Sequence, residues 1–166
     1  MNKYVIINGY PSSGKDTTVK QCGILRDNVT NMSTVDFVKH VAKTCGWDGK
    51  KDDRGRKFLS DLKDAMTNYD DIPLKNIVEN VRMLDNCIIF IHCREPDEIQ
   101  KLKKLLSATT LFIKNDNVNL LNTNHADAEV ENYQYDYVLD NSGSLGDLII
   151  ESDKFLRWLD VNYEKV

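Results

Sequence analysis

The sequence predicts an α/β protein with a mostly parallel, five-stranded sheet covered by helices on both faces. Three observations predict it. Short apolar runs alternate with helical patterns along the 166 residues, the order expected of a parallel sheet built from crossover units. The run Cys87-Ile-Ile-Phe-Ile-His92 is continuously apolar, as in a central parallel strand buried on both faces. The strand Tyr4 to Ile7 runs through Gly9-Tyr-Pro-Ser-Ser-Gly14-Lys15 into a helical pattern. Strand, G-x-x-x-x-G-K and helix in that order are the setting of a phosphate-binding loop.

The remaining elements follow in chain order. A first helix, about Lys15 to Leu25, places Val19, Cys22 and Leu25 at helical spacing. A short second strand is expected over Asn28 to Met32. Ser33-Thr34-Val35-Asp36 opens an amphipathic helix with Phe37, Val38, Val41 and Ala42 on its apolar side, ending near Cys45-Gly46. The polar, glycine-containing stretch from Trp47 to Gly55 reads as an exposed loop. A helix from about Arg54 to Asn68 is expected to bury Phe58, Leu59, Leu62, Ala65 and Met66. Asp71 and Pro73 start the next helix, a cap followed by proline in the first turn, with Leu74, Ile77, Val78, Val81 and Leu84 as its core stripe. After the Cys87–His92 strand, Pro96 begins a helix to about Leu106, Thr109 to Ile113 forms a strand, and Tyr135 to Leu139 forms the last one. Asn141-Ser-Gly-Ser144 then turns into a closing helix from about Leu145 to Tyr163.

Composition narrows the function classes. A chain of this length makes one domain with a sizeable core, here 1–166. The apolar share of 41% and charged share of 29% are those of a globular protein, and no apolar run reaches the ~20 residues that span a bilayer. No secretory signal is read at the N-terminus, so the expected location is cytoplasmic, with no membrane partner. Cys22, Cys45, Cys87 and Cys93 have no C-x-x-C spacing and are expected as reduced thiols. Residues 1–83 carry 14 Lys/Arg against 11 Asp/Glu, a balance of +3, while residues 84–166 carry 8 against 15, a balance of −7. That distribution suits a small anionic ligand bound by the first half better than nucleic acid, which usually calls for a basic domain. A nucleic-acid-dependent ATPase is disfavoured on the same ground.

The loop is the most specific signal. Gly9 and Gly14 allow the tight turn that brings backbone N–H groups against phosphate oxygens, and the helix N-terminus adds partial positive charge. Ser12 and Ser13 lie within the loop, Lys15 is expected to reach the terminal phosphates, and Thr17 and Thr18 follow on the first turn. The position after the lysine, usually a Ser or Thr that ligates magnesium, is Asp16. Asp16 is a candidate to hold Mg2+, directly or through water; the plainer reading is an acid favoured at a helix N-terminus, worth about 0.3–1 kcal/mol. In parallel α/β sheets ligands bind beyond the carboxyl ends of the strands. That rule singles out Asp36, Arg94 and the Asn141–Ser144 turn. His92 by itself reads as a neutral core histidine, since one histidine at a strand end makes no metal site.

These strand-end segments resemble the small-molecule P-loop kinases, in particular the phage-type deoxynucleoside monophosphate kinases, with dephospho-coenzyme A kinase and animal-type phosphomevalonate kinase as more distant relatives. Ser13-Gly-Lys-Asp-Thr17 is similar to the loop of the phage-type enzymes. Arg56 to Lys63 looks like their arginine-bearing acceptor helix, His92 to Glu98 like their strand-end segment, and Tyr135 to Leu148 like their closing strand, turn and final helix. Relatives usually carry an acidic residue where His92 stands, and a basic lid where residues 115–134 hold no Lys or Arg. The resemblance implies the three-layer α/β/α sandwich of P-loop NTPases and an ATP- and Mg2+-dependent phosphoryl transfer to a small phosphorylated acceptor, a nucleoside or deoxynucleoside monophosphate. It implies a donor site of Gly9, Ser12, Ser13, Gly14, Lys15, Thr17 and Thr18, with Asn141, Gly143 and Ser144 against the adenine. Asp36, Arg56 and Arg94 would hold the acceptor, and Lys15, Asp16 and Arg94 would serve the transfer. Residues 115–134 would be a reduced lid, and a homodimer is the oligomeric candidate. The alternative is a nucleotide-binding module, or a degenerate kinase, that binds ATP or a phosphorylated ligand without transferring phosphate.

Overall fold

A computed structural model describes residues 1–118, 130 and 133–163 of the protein. Its strands are β1 (Lys3–Asn8), β2 (Val29–Ser33), β3 (Ile88–His92), β4 (Thr109–Lys114) and β5 (Tyr137–Asp140). Its helices are α1 (Lys15–Leu25), α2 (Asp36–Thr44), α3 (Asp53–Asp70), α4 (Ile72–Arg82), α5 (Pro96–Leu106) and α6 (Leu145–Asn162). The strands form one sheet in the order β2-β3-β1-β4-β5. The β1–β3, β1–β4 and β4–β5 pairs are all parallel, with Ile6 beside Ile91 and Thr110 and with Phe112 beside Val138. This is the predicted α/β/α sandwich.

The described residues divide into two compact units, 1–31 with 85–166, and 32–84. In the first, β-branched and aromatic residues fill both faces of the central strands, as a doubly covered parallel sheet requires. Val5, Ile7, Phe90, Leu111, Ile113 and Leu139 pack with Val19 and Cys22 of α1 and with Leu148, Phe155, Leu156 and Leu159 of α6. The alternating residues Ile6, Ile89, Ile91 and Phe112 are buried as well, as are Ile99 and Leu102 of α5, the helix that contacts β1 and β4. An aromatic group of Tyr137, Phe155 and Trp158, with ring centroids 5.1–6.3 Å apart, closes the β5 side.

The second unit holds α2, α3 and α4, which contact one another. Asp52 caps α3, its carboxylate accepting from the Gly55 N–H at 2.8 Å, so the helix begins about where the polar loop ends. A single left-handed residue, Asp71 at φ 47°, separates α3 from α4. Its role at the start of α4 is therefore conformational and not that of a side-chain cap, while Pro73 occupies the first turn as expected. The stripe of α4 is buried at Leu74, Ile77, Val78 and Val81. In α3 the expectation fails. Phe58 and Ala65 are exposed, Leu59, Leu62 and Met66 are half-buried, and Gly55 is the one buried position. Helical periodicity marks which side of a helix is apolar, but coverage of that side depends on the neighbours, and those of α3 are α2 and α4.

Among the described residues no helix is long and apolar enough to cross a membrane. The four cysteines are free, with Cys22 and Cys93 buried, Cys87 half-buried and Cys45 exposed. Most of the stretch read as a lid, 119–129 and 131–132, lies outside the described residues.

Candidate phosphate-binding site

The segment between β1 and α1 emerges at the carboxyl end of the sheet, with β3 and β4 on either side of β1. It is shaped by three positive-φ residues: Gly9 at 150°, Ser12 at 63° and Gly14 at 96°. A side chain at Gly9 would lie 2.7 Å from both the Ile113 carbonyl oxygen and Ser13 Oγ, so the backbone there is both conformationally special and crowded. Ser12 pays the left-handed cost with a side chain in place, about 1–3 kcal/mol for a residue held in such a region. The loop closes through the Ser13 N–H to the Tyr10 carbonyl at 3.1 Å, and α1 begins with the Thr18 N–H to the Gly14 carbonyl at 2.8 Å. The amides of the first turn of a helix have no acceptor within the helix. Here they belong to the residues that follow Gly14.

Lys15 curls back over this loop. Its ammonium donates to the carbonyls of Gly9 at 2.7 Å and Tyr10 at 2.8 Å, holding a positive charge within the concave side of the turn. Ser13 is buried, and its Oγ has no hydrogen-bond partner. Thr17 is exposed on the first turn of α1. Thr18 is buried, with its hydroxyl donating to the Gly14 carbonyl at 3.0 Å.

Two asparagines tie the loop to distant parts of the chain. Asn141, after β5, donates from Nδ2 to the Ser13 carbonyl at 2.8 Å, while its own N–H reaches the Lys114 carbonyl at 2.7 Å. Asn8, the last residue of β1 and buried, accepts from the Gly9 N–H at 2.8 Å. Its Nδ2 donates to the Tyr135 hydroxyl at 2.9 Å and to the Arg94 carbonyl at 3.4 Å. Burial, only partly offset by the Asn8 hydrogen bond, pushes the Tyr135 phenol up to about 12. Tyr135 also stacks on Phe112 at 5.1 Å, and Phe112 meets the loop residue Tyr10 edge-on at 6.4 Å. Neither Asn8 nor Tyr135 was singled out by the sequence. The available signal was a polar residue ending an apolar strand one position before the first loop glycine.

The turn after β5 is itself well ordered by short-range bonds. Ser144 caps α6 in a reciprocal capping box. Its hydroxyl accepts from the Asp147 N–H at 3.3 Å, and Asp147 Oδ2 accepts from the Ser144 N–H at 2.8 Å. The Ser144 hydroxyl, which also donates to Asp147 Oδ2 at 2.7 Å, and the Ser144 N–H together hold the Asp147 carboxyl below the usual carboxylate range. Ser142 Oγ accepts from the Asp116 N–H at 2.9 Å, joining this turn to the chain leaving β4. Gly143 is exposed.

Asp16, on the first turn of α1, has a side chain 91% exposed, and its Oδ1 lies 3.6 Å from His92 Nε2 at the end of β3. A solvent-facing carboxylate beside the loop is an oxygen donor of the kind magnesium takes, so Asp16 fits the magnesium expectation, and an imidazole nitrogen lies next to it. Arg94 is exposed two residues beyond His92. The structure thus brings together Gly9, Ser12, Ser13, Gly14, Lys15, Asp16, Thr17, Thr18 and Asn141.

Asp36 and Arg56 belong to the 32–84 unit. The Asp36 carboxylate accepts from the Ser33 N–H at 2.9 Å and the Lys39 ammonium at 3.1 Å, bonds that serve the opening of α2. Arg56 is exposed on the first turn of α3.

No protein-family model and no curated protein matches the chain. Solved structures do. A shikimate kinase from Bacteroides thetaiotaomicron is 13% identical with a TM-score of 0.53, over 95% of this chain and 98% of that one. A gluconokinase from Sinorhizobium meliloti 1021 is 13% identical with a TM-score of 0.54, over 98% and 97%. A dephospho-CoA kinase from Campylobacter jejuni is 14% identical with a TM-score of 0.53, over 95% and 97%. What the chain shares with them is the fold, over nearly the whole length of each.

Proposed function

We propose that the protein is an ATP-dependent phosphotransferase acting on a small phosphorylated acceptor, a nucleoside or deoxynucleoside monophosphate. The observation that carries this reading is the loop itself: Gly9 and Gly14 with positive φ, the Lys15 ammonium folded over the loop carbonyls, and the first-turn amides of α1 behind it. Such a cradle suits the phosphates of a nucleotide. The fold shared with the shikimate kinase, the gluconokinase and the dephospho-CoA kinase supports a transferase over a passive binder, although their acceptors differ from one another.

In this reading Lys15 exchanges its two carbonyls for phosphate oxygens and follows the charge that spreads over the transferred group. An acceptor oxygen forms a bond to the γ-phosphorus as the bond to the β-bridging oxygen breaks, and ADP leaves. Arg94 grips the acceptor phosphate with its planar fork. Asp36 and Arg56 are acceptor contacts on the strength of the sequence alone. Asn141 acts through the Ser13 carbonyl to fix the loop, and Thr17 offers its hydroxyl to a donor phosphate. The same sequence-based reading puts Thr18 with the donor phosphates and Gly143 and Ser144 with the adenine. Asp16 is the residue that would hold Mg2+, which when bound neutralises phosphate charge and orients the donor.

The test is turnover of ATP with a panel of nucleoside and deoxynucleoside monophosphates, extended to shikimate, gluconate and dephospho-CoA. The expected result is two diphosphates from ATP and one of the monophosphates, and a loss of about 100-fold or more in kcat for Lys15→Ala, the order seen when one preorganised electrostatic donor is removed. No turnover across the panel with ATP binding intact would overturn the reading in favour of a nucleotide-binding module, in which Lys15→Ala would only weaken affinity.

A further inference from the structure

His92 was left without a role by the sequence because one histidine makes no metal site. The structure supplies the missing neighbour. Asp16 arrives from the helix after the loop and His92 from the end of the adjacent strand, and they place a carboxylate oxygen and an imidazole nitrogen 3.6 Å apart. Two ligands held at about 2.1 Å from one ion lie roughly 3.0 Å apart when cis in an octahedron and roughly 3.4 Å apart in a tetrahedron. The observed spacing needs an adjustment of only a few tenths of an ångström, which the 91%-exposed Asp16 side chain has the freedom to make. His92 is largely buried, with a side chain 17% exposed, so its ring is held in place by the fold. Among the described residues no group of three His, Cys, Asp or Glu side chains could hold a metal. An ion here would therefore need phosphate oxygens and water to complete its coordination.

We propose that His92 is a second protein ligand, beside Asp16, for the divalent cation that accompanies the nucleotide, and that the site consequently favours nitrogen-accepting ions such as Mn2+ and Co2+ over Mg2+. The inference rests on the phosphotransferase reading for the presence of a nucleotide-bound cation. Its own content is the imidazole ligand. Mg2+ is a hard ion that takes oxygen donors and dehydrates reluctantly, whereas imidazole gains in affinity along the series from Mn2+ to Co2+. Replacing an oxygen donor by a nitrogen donor therefore shifts preference between ions without requiring any change in the loop.

The experiment uses the full chain labelled with 15N-histidine, a non-hydrolysable ATP analogue and Mn2+, read by pulsed electron paramagnetic resonance. The expected result is a 15N coupling to the nucleotide-dependent Mn2+ that disappears in His92→Asn. In parallel titrations His92→Asn should lower Co2+ affinity in the presence of the analogue about 10-fold, the scale on which metal-site partners act, and leave Mg2+ affinity within about twofold. His92→Glu, whose carboxylate oxygens reach about as far from the backbone as Nε2, should bind Mn2+ without the coupling and narrow the Co2+-over-Mg2+ preference. It also serves if the asparagine variant does not fold. Nucleotide-dependent Mn2+ binding with no 15N coupling in the wild-type protein would overturn the His92 assignment while leaving the proposed function standing. Absence of nucleotide-dependent binding of any divalent ion would overturn both.

Discussion

Gly14 and Asn141 are 127 residues apart in sequence, yet the structure makes their contributions to stability inseparable. Gly14 is held at φ 96° as the residue before α1, and a Cβ there would overlap Asn141 Nδ2. That same amide donates to the Ser13 carbonyl at 2.8 Å. Gly14→Ala should therefore incur two costs: about 1–3 kcal/mol for an alanine in a disfavoured backbone region, and about 0.5–1.5 kcal/mol for the hydrogen bond lost when the Asn141 side chain is displaced. Asn141→Ala should incur only the second. In the double variant the bond is lost once, so its destabilisation should fall short of the sum of the single variants by about 1 kcal/mol. For a chain of this size each kcal/mol moves the midpoint by roughly 2–4 °C, which makes the shortfall measurable. Urea and thermal unfolding of the four proteins without nucleotide would give the cycle. Additivity within about 0.3 kcal/mol, the behaviour of independent sites, would refute the claim that the Asn141 amide occupies the space that glycine leaves at position 14.

Two further measurements probe the structure away from the loop. Burial pushes the Asp136 carboxyl up, but the Lys103 ammonium and the Thr110 N–H and hydroxyl outweigh it and hold the group below its ordinary value. A depressed folded value means the stabilisation is fully present above the unfolded carboxylate value of about 4 and is lost as pH falls through the folded one. Asp136→Asn should thus cost about 2–3 kcal/mol at neutral pH, and its urea midpoint should approach that of the wild type as pH falls below the ordinary carboxylate range; a gap that does not narrow with falling pH would refute the role of the charge. Burial also pushes the Cys22 thiol up to about 12, whereas Cys45 is exposed on the residue that closes α2. Alkylation followed by mass spectrometry near pH 8 should label Cys45 first and Cys22 only once the protein unfolds, and equal rates would contradict the core packing of α1.

The fold was legible because its signals are local. Continuous apolar runs marked the central strands, and the β1–loop–α1 segment was specified by two glycines and a lysine at fixed spacing, a pattern whose meaning depends only on adjacent residues. The ends of α1 and α5 and the start of α6 fell where periodicity and Pro96 put them. Phe58 was misread for the complementary reason. Its placement in the apolar stripe of α3 is local, whereas its exposure is decided by how much of that stripe α2 and α4 cover.

The site was legible only to the extent that it is local. Its contacts across the sheet depend on strand order, which no periodicity encodes. Because β1 lies between β3 and β4, the end of β1 meets residues that follow β3 and precede β5. That neighbourhood is why Asn8 can bond the Gly9 amide, the Tyr135 hydroxyl and the Arg94 carbonyl at once. It is also why Asp16 and His92, 76 positions apart in the chain, come within 3.6 Å. Asp16 and His92 each had an adequate plain reading alone, an acid favoured at a helix N-terminus and a core histidine. Bringing them together changes the chemistry, because a carboxylate and an imidazole at this spacing form a donor pair that neither residue type announces by itself. The chemical character of the loop was written in consecutive residues, and its electrostatic partners were set by the order in which the strands assemble.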